Sequence, residues 1–223
     1  MIKNQKDNKI ICIGGSGSAK VILDIIREHK KNKIIGILDD DESLYESDFI
    51  GVKVIGKFTD IVNLSPDQFD EVIICVGAIK DTYNRKNIYE YLKLNNIKIG
   101  SVISKYATIS PSVIISSGLI AMPGIIINSG CKIGENVFLN TGCIIEHDCI
   151  IENNVFLSPG VVLSGRVTIK SNSFVGTGTV ICTGLAIGKN VTVGAGSVIV
   201  RDIPDNVIVY GNPAHKNMKE KFI

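Results

Sequence analysis

Small and aliphatic side chains recur with a six-residue period along the chain, from Ala107 to Asp202, without an insertion. The period covers sixteen consecutive units, and the third position of every unit is aliphatic. Because alternate side chains of an extended strand point to the same side, the first and third positions of each unit supply two residues to a common core. The pattern therefore predicts sixteen short strands wound into a solenoid.

The sixth position of each unit carries residues that suit a corner. It is Gly, Asn or Asp in fourteen of the sixteen units, and the exceptions are Ser112 and Arg166. Gly, Asn and Asp tolerate the positive φ that tight corners require. Core positions that alternate with corners in a six-residue period are typical of a parallel β-helix. A chance amphipathic segment would not keep this phase over sixteen units.

A small α/β domain is predicted before the repeats. Its expected elements are strands Lys9–Ile13, Ile34–Leu38 and Glu71–Val76, a helix from Ala19 to about Lys30 with Val21, Ile22, Ile25 and Ile26 facing inward, and a helix Asn84–Leu94. Strands that alternate with helices favour a small parallel, Rossmann-like sheet, which binds ligands at the carboxyl ends of its strands. We expect residues 1–103 to form this domain and residues 104–223 to form the β-helix with a C-terminal tail.

Composition narrows the functional classes. A chain of 223 residues is long enough for two domains, and a formal charge of +2 gives no argument for nucleic-acid binding. The polar start, Met1 to Asn8, does not resemble a signal peptide, and no apolar run approaches membrane-spanning length, so we expect a cytoplasmic protein. The six cysteines lack CxxC spacing and are interpreted as reduced, small hydrophobic residues.

The turn after the first predicted strand is suited to phosphate binding. Gly15, Ser16 and Gly17 lead into a helix, whose backbone N–H groups and positive end attract anions. Asp39 and Asp40 follow the next strand, where an acidic side chain can hold a ribose or a base. The dinucleotide fingerprint lacks its third glycine, because Lys20 stands there, so NAD is the less favoured ligand. By itself this motif is equally compatible with an ordinary tight turn.

Together, the glycine-rich turn, the acidic pair, Val76-Gly77 followed by Arg85, and the unbroken hexads resemble a family of bacterial sugar acetyltransferases. The family contains the sialic acid O-acetyltransferases and the nucleotide 4-amino-sugar N-acetyltransferases. The resemblance implies a left-handed β-helix with three hexads per coil, so that residues eighteen apart lie above one another. It also implies acetyl-CoA as co-substrate, no metal, and a homotrimer with active sites between the prisms.

The resemblance implies the following contacts to the nucleotide sugar: Gly15, Ser16, Gly17, Ser18, Asp39, Asp40, Gly77, Arg85 and Asn140. Two family histidines are replaced here. Ser18 stands where many members have a histidine after the turn, although its hydroxyl could still donate to a sugar or phosphate oxygen. Phe156 replaces a second histidine, and we expect this change to remove a polar group from the acceptor pocket.

The candidate catalytic residues are Glu146, His147 and Asp148. His147 occupies the fifth position of its unit, next to a corner, so its imidazole should lie outside the prism. Histidine suits the removal of a proton from an attacking amine or hydroxyl near neutral pH. The resemblance favours Asp148 as the group that orients the imidazole, with Glu146 as the weaker candidate. Without the resemblance, an exposed corner histidine with no catalytic role would be the simpler interpretation.

The expected acetyl-CoA site follows the same stacking. Gly165 lies eighteen residues after His147, so its N–H could bind the thioester carbonyl as charge develops on the oxygen. The segment Val209–Ala214 resembles the one that follows the last coil in acetyl-CoA-dependent members, where it packs against the adenine end. The resemblance implies cofactor contacts at Gly165, Thr183, Ala195, Asn212 and Pro213.

The sequence as a whole favours an acetyl-CoA-dependent enzyme that acetylates the 4-amine of a nucleotide-linked 4-amino-4,6-dideoxy sugar in surface glycan synthesis. O-acetylation of a sialic-acid-like sugar is the alternative reaction. A nucleotide-binding β-helix scaffold without activity is the alternative outside enzymes. A zinc enzyme of the β-helix carbonic anhydrase type is disfavoured, because three scattered histidines do not supply its ligands.

Overall fold

A computed structural model describes residues 7–65, 67–78 and 82–216 of the chain. The chain divides into two compact units, the first formed by Met1–Val76 and Asn87–Val102 and the second by Gly77–Lys86 and Ile103–Ile223. The division falls within one helix, Tyr83–Leu94. Residues 77–86 thus belong to the same unit as the repeats, although they lie within residues 1–103, the range predicted for the first domain. No helix in the described part of the chain is both long and apolar enough to cross a membrane.

The first unit is an α/β domain built on a parallel sheet. Its elements are β1 Asn8–Ile13, α1 Gly17–Arg27, β2 Asn32–Leu38, a 3₁₀ turn Glu42–Leu44, β3 Val54–Gly56, a 3₁₀ helix Phe58–Asn63, β4 Glu71–Ile74 and the main part of α2 Tyr83–Leu94. The four strands lie in the order β3-β2-β1-β4, and all three pairings are parallel. The predicted strands and helices are all present, whereas β3 was not predicted.

One prediction about helix α1 is wrong in detail. Its buried residues are Ala19, Ile22, Leu23, Ile25 and Ile26. Val21 is 38% exposed although it was expected to face inward. With 3.6 residues per turn, the face defined by Ile22, Ile25 and Ile26 also contains Leu23 and leaves Val21 to solvent. The prediction that one face of α1 is buried is confirmed for Ile22, Ile25 and Ile26, but that face extends to Leu23 and not to Val21.

The second unit is a left-handed parallel β-helix with three faces. Its first face has six strands: Thr108–Ile109, Ile126–Ile127, Ile144–Ile145, Val162–Leu163, Val180–Ile181 and Val198–Ile199. Its second face has five strands: Ile114–Ile115, Lys132–Ile133, Ile150–Ile151, Thr168–Ile169 and Ala186–Ile187. Its third face has eight strands: Val102–Ile103, Ile120–Ala121, Phe138–Leu139, Phe156–Leu157, Phe174–Val175, Thr192–Val193, Ile208–Gly211 and Ala214–Lys216.

The six-residue period is therefore correct at every one of the sixteen predicted units. Consecutive coils pair in parallel with an offset of eighteen residues, as between Ile144 and Val162 or between Phe138 and Phe156. The third positions pack inside the prism, where Ile145 and Leu163 are fully buried. The last strand of the third face departs from the repeat, because Ala214–Lys216 pairs in the antiparallel sense with Ile208–Gly211.

Three edges join the faces, and each has its own composition. The first edge leads from the first to the second face, the second edge from the second to the third, and the third edge from the third back to the first. On the second edge a ladder of asparagine amides links successive corners, with Nδ2 to Oδ1 distances of 2.9, 3.1, 3.0 and 2.7 Å along Asn136, Asn154, Asn172, Asn190 and Asn206. All five have a φ between 54° and 62°.

Candidate active site

The corner Glu146-His147-Asp148 lies on the first edge, between the strands Ile144–Ile145 and Ile150–Ile151. The side chain of His147 is 54% exposed, as expected for the fifth position of a unit. Its Nδ1 lies 2.9 Å from Oδ2 of Asp148. Asp148 forms the corner with a φ of 60°. The structure thus brings the two predicted catalytic residues into direct contact.

Gly165 stands one coil above His147. A Cβ atom at Gly165 would lie 2.5 Å from Nε2 of His147, so a side chain there would displace the imidazole from its present position. The two corners are tied together by a hydrogen bond of 2.9 Å from the N–H of Arg166 to the carbonyl of His147. The N–H of Gly165 donates to no acceptor among the described residues. His147 Nε2 and an available amide donor therefore share one small space.

Glu146 is held away from the imidazole. Its Oε2 accepts a hydrogen bond of 2.9 Å from Nδ2 of Asn128, which lies one coil below. Asp148 is thus the carboxylate that contacts His147, in agreement with the preference between the two acids. Because a carboxylate accepts hydrogen bonds, this contact favours a proton on Nδ1 and leaves Nε2 as an acceptor.

This arrangement can perform general base catalysis next to a developing oxyanion. A neutral imidazole accepts a proton at Nε2, while Asp148 stabilises the imidazolium that results. A nearby amide N–H stabilises negative charge on an oxygen bound beside it. Within the described residues, no three His, Cys, Asp or Glu side chains come together in a way that could hold a metal ion.

The column above Gly165 continues along the first edge. Thr183 lies one coil higher, and its hydroxyl donates to the Gly165 carbonyl at 3.1 Å. Arg201 occupies the equivalent corner of the next coil, and its Nη2 lies 3.3 Å from Nδ1 of His215. Arg201 was not among the predicted residues. The eighteen-residue spacing from His147 and Gly165 was the signal that could have identified it.

Other predicted residues of the β-helix lie elsewhere on the prism. Asn140 and Ala195 are on the third edge, across the first face from the His147 column. The Oδ1 of Asn140 accepts a hydrogen bond of 2.8 Å from the N–H of Thr141. Asn212 and Pro213 form the turn between Ile208–Gly211 and Ala214–Lys216. Within one chain, therefore, Asn140 and His147 are on different edges.

Arg85 and Phe156 belong to the packing of the third face. Arg85 is 3% exposed, its guanidinium carbon lies 5.2 Å from the centroid of the Phe138 ring, and its Nη2 donates to the Gly118 carbonyl at 3.2 Å. Phe156 is stacked between Phe138 and Phe174, at centroid distances of 4.7 and 5.4 Å. Phe156 thus completes an aromatic stack on the third face, and within one chain it lies on a different part of the prism from His147.

In the first unit, the predicted turn and acidic residues come together. The N–H of Gly15 donates to Oδ2 of Asp39 at 2.5 Å, which joins the turn to the end of β2. The other oxygen of Asp39 accepts from the N–H of Asp41 at 2.9 Å. Asp40 accepts from the N–H of Phe58 at 3.0 Å and is exposed. Asp39 is thus a structural brace as well as a candidate ligand, whereas Asp40 is more available.

Two further turn residues are defined by their contacts. The Ser18 hydroxyl donates to the Cys75 carbonyl at 3.0 Å, so its proton is already used and the hydroxyl remains as an acceptor only. A donation from Ser18 to the sugar or phosphate would therefore replace its bond to the Cys75 carbonyl. Ser16 and Gly17 are exposed at the start of α1, while Gly77 belongs to the second unit.

The cysteines near the His147 corner are buried. Cys143 and Cys149 have no exposed surface, and burial raises the pKa of each thiol to about 11. Cys131 is also buried, and loss of solvent raises its thiol pKa. Cys182, on the first edge, is exposed. The inward cysteines therefore remain protonated thiols at neutral pH.

Comparisons with known proteins agree with this architecture. Residues 9–92 match the PglD N-terminal domain, residues 130–165 match the bacterial transferase hexapeptide (six repeats), and residues 166–201 match the hexapeptide repeat of succinyl-transferase. The acetyltransferase domain of PglB from Neisseria gonorrhoeae, solved with acetyl coenzyme A, is 33% identical over 95% of this chain and 100% of that one, with a TM-score of 0.87. The chain belongs to the family of nucleotide amino-sugar N-acetyltransferases.

Two more solved structures extend the comparison. The perosamine N-acetyltransferase of Caulobacter crescentus, solved as a variant with CoA and GDP-perosamine, is 30% identical over 95% of this chain and 98% of that one, with a TM-score of 0.87. WeeI from Acinetobacter baumannii is 28% identical over 93% of this chain and 99% of that one, with a TM-score of 0.81. As a member of this family, the chain is an acetyl-CoA-dependent sugar N-acetyltransferase.

Substitution of His147 tests its role as general base. We expect His147→Ala to lower kcat by about two to four orders of magnitude, because no other base takes the proton, while the affinity for acetyl-CoA changes little. Asp148→Asn should cost less, since it weakens the orientation of the imidazole without removing it. Steady-state kinetics with calorimetric titration of CoA would measure both. Unchanged turnover of His147→Ala would contradict the assignment.

The burial of the cysteines predicts direct transfer without an acetyl-enzyme. With a thiol pKa near 11, about one thiol in a thousand is ionised at pH 8, so Cys143 and Cys149 should resist iodoacetamide in the folded protein. The exposed Cys182 serves as the internal positive control, and mass spectrometry of peptides reads the modification. Kinetics should show a ternary complex. A trapped acetyl-cysteine, or parallel lines in a double-reciprocal plot, would refute this prediction.

Proposed function

We propose that this protein transfers the acetyl group of acetyl-CoA to the 4-amine of a nucleotide-linked 4-amino-4,6-dideoxy sugar, with His147 as general base. The observation that carries the proposal is the His147 geometry: Nδ1 contacts Asp148 at 2.9 Å while Nε2 faces Gly165. An exposed histidine without a task would not need a carboxylate on one nitrogen and a glycine opposite the other. The reaction belongs to the cytoplasmic supply of sugars for surface glycans.

The proposed reaction balances in two steps. The amine nitrogen attacks the thioester carbon, His147 Nε2 takes a proton from that nitrogen, and the Gly165 N–H binds the oxyanion. The tetrahedral intermediate then collapses, the carbon–sulfur bond breaks, and the imidazolium proton passes to the leaving sulfur. The products are the acetamido sugar and CoA. Asp148 keeps Nδ1 protonated throughout and carries no proton itself.

The nucleotide end of the acceptor is assigned to the first unit. At the start of α1 the N–H groups of Ser16 and Gly17 donate to no acceptor among the described residues, whereas the Gly15 N–H is taken by Asp39. The first turn of α1 carries no acidic residue that would repel a diphosphate. Asp39 and Asp40 supply carboxylates at the same strand ends. The Caulobacter relative was solved with GDP-perosamine, which is consistent with an acceptor of this class.

A homotrimer is the proposed working form, and two features of the β-helix support it. The predicted acceptor contact Asn140 and the predicted cofactor contact Ala195 are on the third edge, whereas His147 is on the first, so a neighbouring prism must supply one side of the site. The first face also carries an outward row of aliphatic side chains, Ile126, Ile144, Val162, Val180 and Val198. Covering this row would remove apolar surface from water.

The assignment of the nucleotide to the first unit predicts that substitutions there affect the KM for the nucleotide sugar and not the KM for acetyl-CoA. Asp40→Ala should raise the KM for the nucleotide sugar and leave the KM for acetyl-CoA within about two- to threefold, because lost uniform binding appears in KM. Asp39→Asn keeps one acceptor oxygen for the Gly15 N–H but puts an NH₂ group opposite the Asp41 N–H, so it should show the same selectivity with some loss of thermal stability. Initial rates over UDP- and GDP-linked amino sugars and free sialic acids would measure this. Preference for a free sialic acid, with both variants silent, would favour O-acetylation instead.

The assembly is tested on the aliphatic row of the first face. Val180 is 37% exposed, and Val180→Glu should place a charge in the contact, reduce the particle towards the 24.1 kDa monomer and abolish activity. Ile114, 61% exposed at the start of the second face, provides the control Ile114→Glu, which should leave the assembly intact. Light scattering after size exclusion gives the masses. A fully active monomer would contradict the shared site.

A further inference from the structure

Gly130 lies directly beneath the catalytic acid on the first edge. It occupies the corner one coil below Asp148, with a φ of 77°. A Cβ atom added at Gly130 would collide with Oδ1 of Asp148, while the Asp148 Cα would be 3.7 Å away, an ordinary contact. The carboxylate of Asp148 is therefore seated on the bare backbone of Gly130, with its other oxygen towards His147.

The fold alone does not demand glycine at this place. On the second edge, Asn154 stands below Asn172 with a positive φ of 59°, and its side chain reaches the next corner at 3.1 Å. Stacked corners of this prism thus accept a side chain at each level. Gly130 is bare where the carboxylate lies down towards it, and the requirement comes from the conformation of Asp148.

Hydrogen bonds to residues of the coil below hold the backbone of Gly130 and of Asp148 in place. The N–H of Gly130 donates to the Ser112 hydroxyl at 3.1 Å, and the Asp148 N–H donates to the Ser129 carbonyl at 2.9 Å. Both the seat and the backbone of Asp148 are thereby fixed, so the side-chain torsion of Asp148 is the remaining freedom. A side chain at position 130 would act on that torsion.

We propose that Gly130 is a positioning residue for the acetyl transfer: its missing side chain determines which way the Asp148 carboxylate lies and so keeps Oδ2 against His147 Nδ1. The inference rests on the proposed function of His147 as general base. Its distinctive consequence is that filling the space at 130 damages catalysis far more than folding. The atom that must move is the end of one exposed side chain, so the clash adds little to the strain that a side chain meets at a φ of 77°, and Gly124→Ala measures that strain alone.

The test uses two substitutions and a matched control. Gly130→Ala adds the Cβ, and Gly130→Asn adds it with a residue that tolerates positive φ, as the five asparagines of the ladder do. Gly124→Ala is the control, because Gly124 has nearly the same φ, 75°, and its Cβ would meet nothing closer than 3.8 Å. We expect both Gly130 variants to lower kcat about tenfold with little change in either KM.

A double-mutant cycle separates this role from a general disturbance. In the Asp148→Ala background, Gly130→Ala should have no further effect on kcat, because the group that it displaces is gone. Gly124→Ala should match Gly130→Ala in melting temperature and keep wild-type kcat. Additive losses in the cycle, or equal losses of kcat in Gly124→Ala, would overturn the inference.

A readout independent of turnover distinguishes failure of this inference from failure of the proposed function. The chain has three histidines, so ¹⁵N NMR of the imidazoles resolves His147 readily. In the wild type, His147 should be protonated at Nδ1, and in both Gly130 variants it should move towards the Nε2-protonated tautomer. An unchanged tautomer would overturn the role of Gly130. A wild type that acetylates no sugar, with the tautomer shift present, would overturn only the proposed function.

Discussion

The parallel hydrogen-bond ladder between coils is the interaction on which the rest of the second unit depends. It pairs residues eighteen apart, as between Ile144 and Val162, and so converts a sequence spacing into a contact. His147 and Gly165, Glu146 and Asn128, and Asp148 and Gly130 are all neighbours for this one reason. Because strands in register lie about 4.8 Å apart, each side chain on an edge meets the corners above and below it.

Because of the same ladder, the residues that form the core and the residues that carry the chemistry occupy different positions of the repeat. Inward positions are filled by aliphatic residues and by small polar ones whose hydroxyls find carbonyl partners, as Ser173 does with Gly188 at 2.7 Å. Corners remain outside the core and vary without disturbing it. One edge could therefore acquire Glu146-His147-Asp148 while another acquired the asparagine ladder. Solenoids in general carry function on such variable positions, since each coil contacts only its neighbours.

Much of this could be predicted from sequence because the repeat is exact in length. The sixteen strands and the juxtaposition of His147 with Gly165 follow from counting. Contacts that depend on side-chain torsions do not: the use of the Ser18 hydroxyl by Cys75, the turn of Glu146 towards Asn128, and the seat at Gly130 required coordinates. The packing of Phe156 could not be predicted either, because a family resemblance supplies the position of a residue but not the rings of Phe138 and Phe174 that enclose it.

In helix α1 the error had a different origin. Val21 and Leu23 are both apolar, so composition could not decide which one faces the sheet, and a shift of one position rotates a helix by about 100°. The short strand β3 could not be predicted because Val54–Gly56 has too few residues to show an alternation of apolar and polar side chains. In both cases a few residues are too short a pattern to decide the structure, whereas the six-residue pattern of the β-helix is repeated sixteen times.

The asparagine ladder has a consequence for how such a chain can change in evolution. Every rung joins residues eighteen apart until the last, which joins Asn190 to Asn206 across sixteen. The last coil of the ladder is two residues shorter and still aligns Asn206 with Asn190. Within the earlier coils, on which others stack, insertion of one residue would move later corners out of line, so changes of length there must come as whole turns or as loops extruded at a corner. Each coil that is added or lost between the His147 corner and the C-terminal hairpin therefore changes their separation by one spacing between strands. A protein of this kind can lengthen or shorten its β-helix in increments of whole coils.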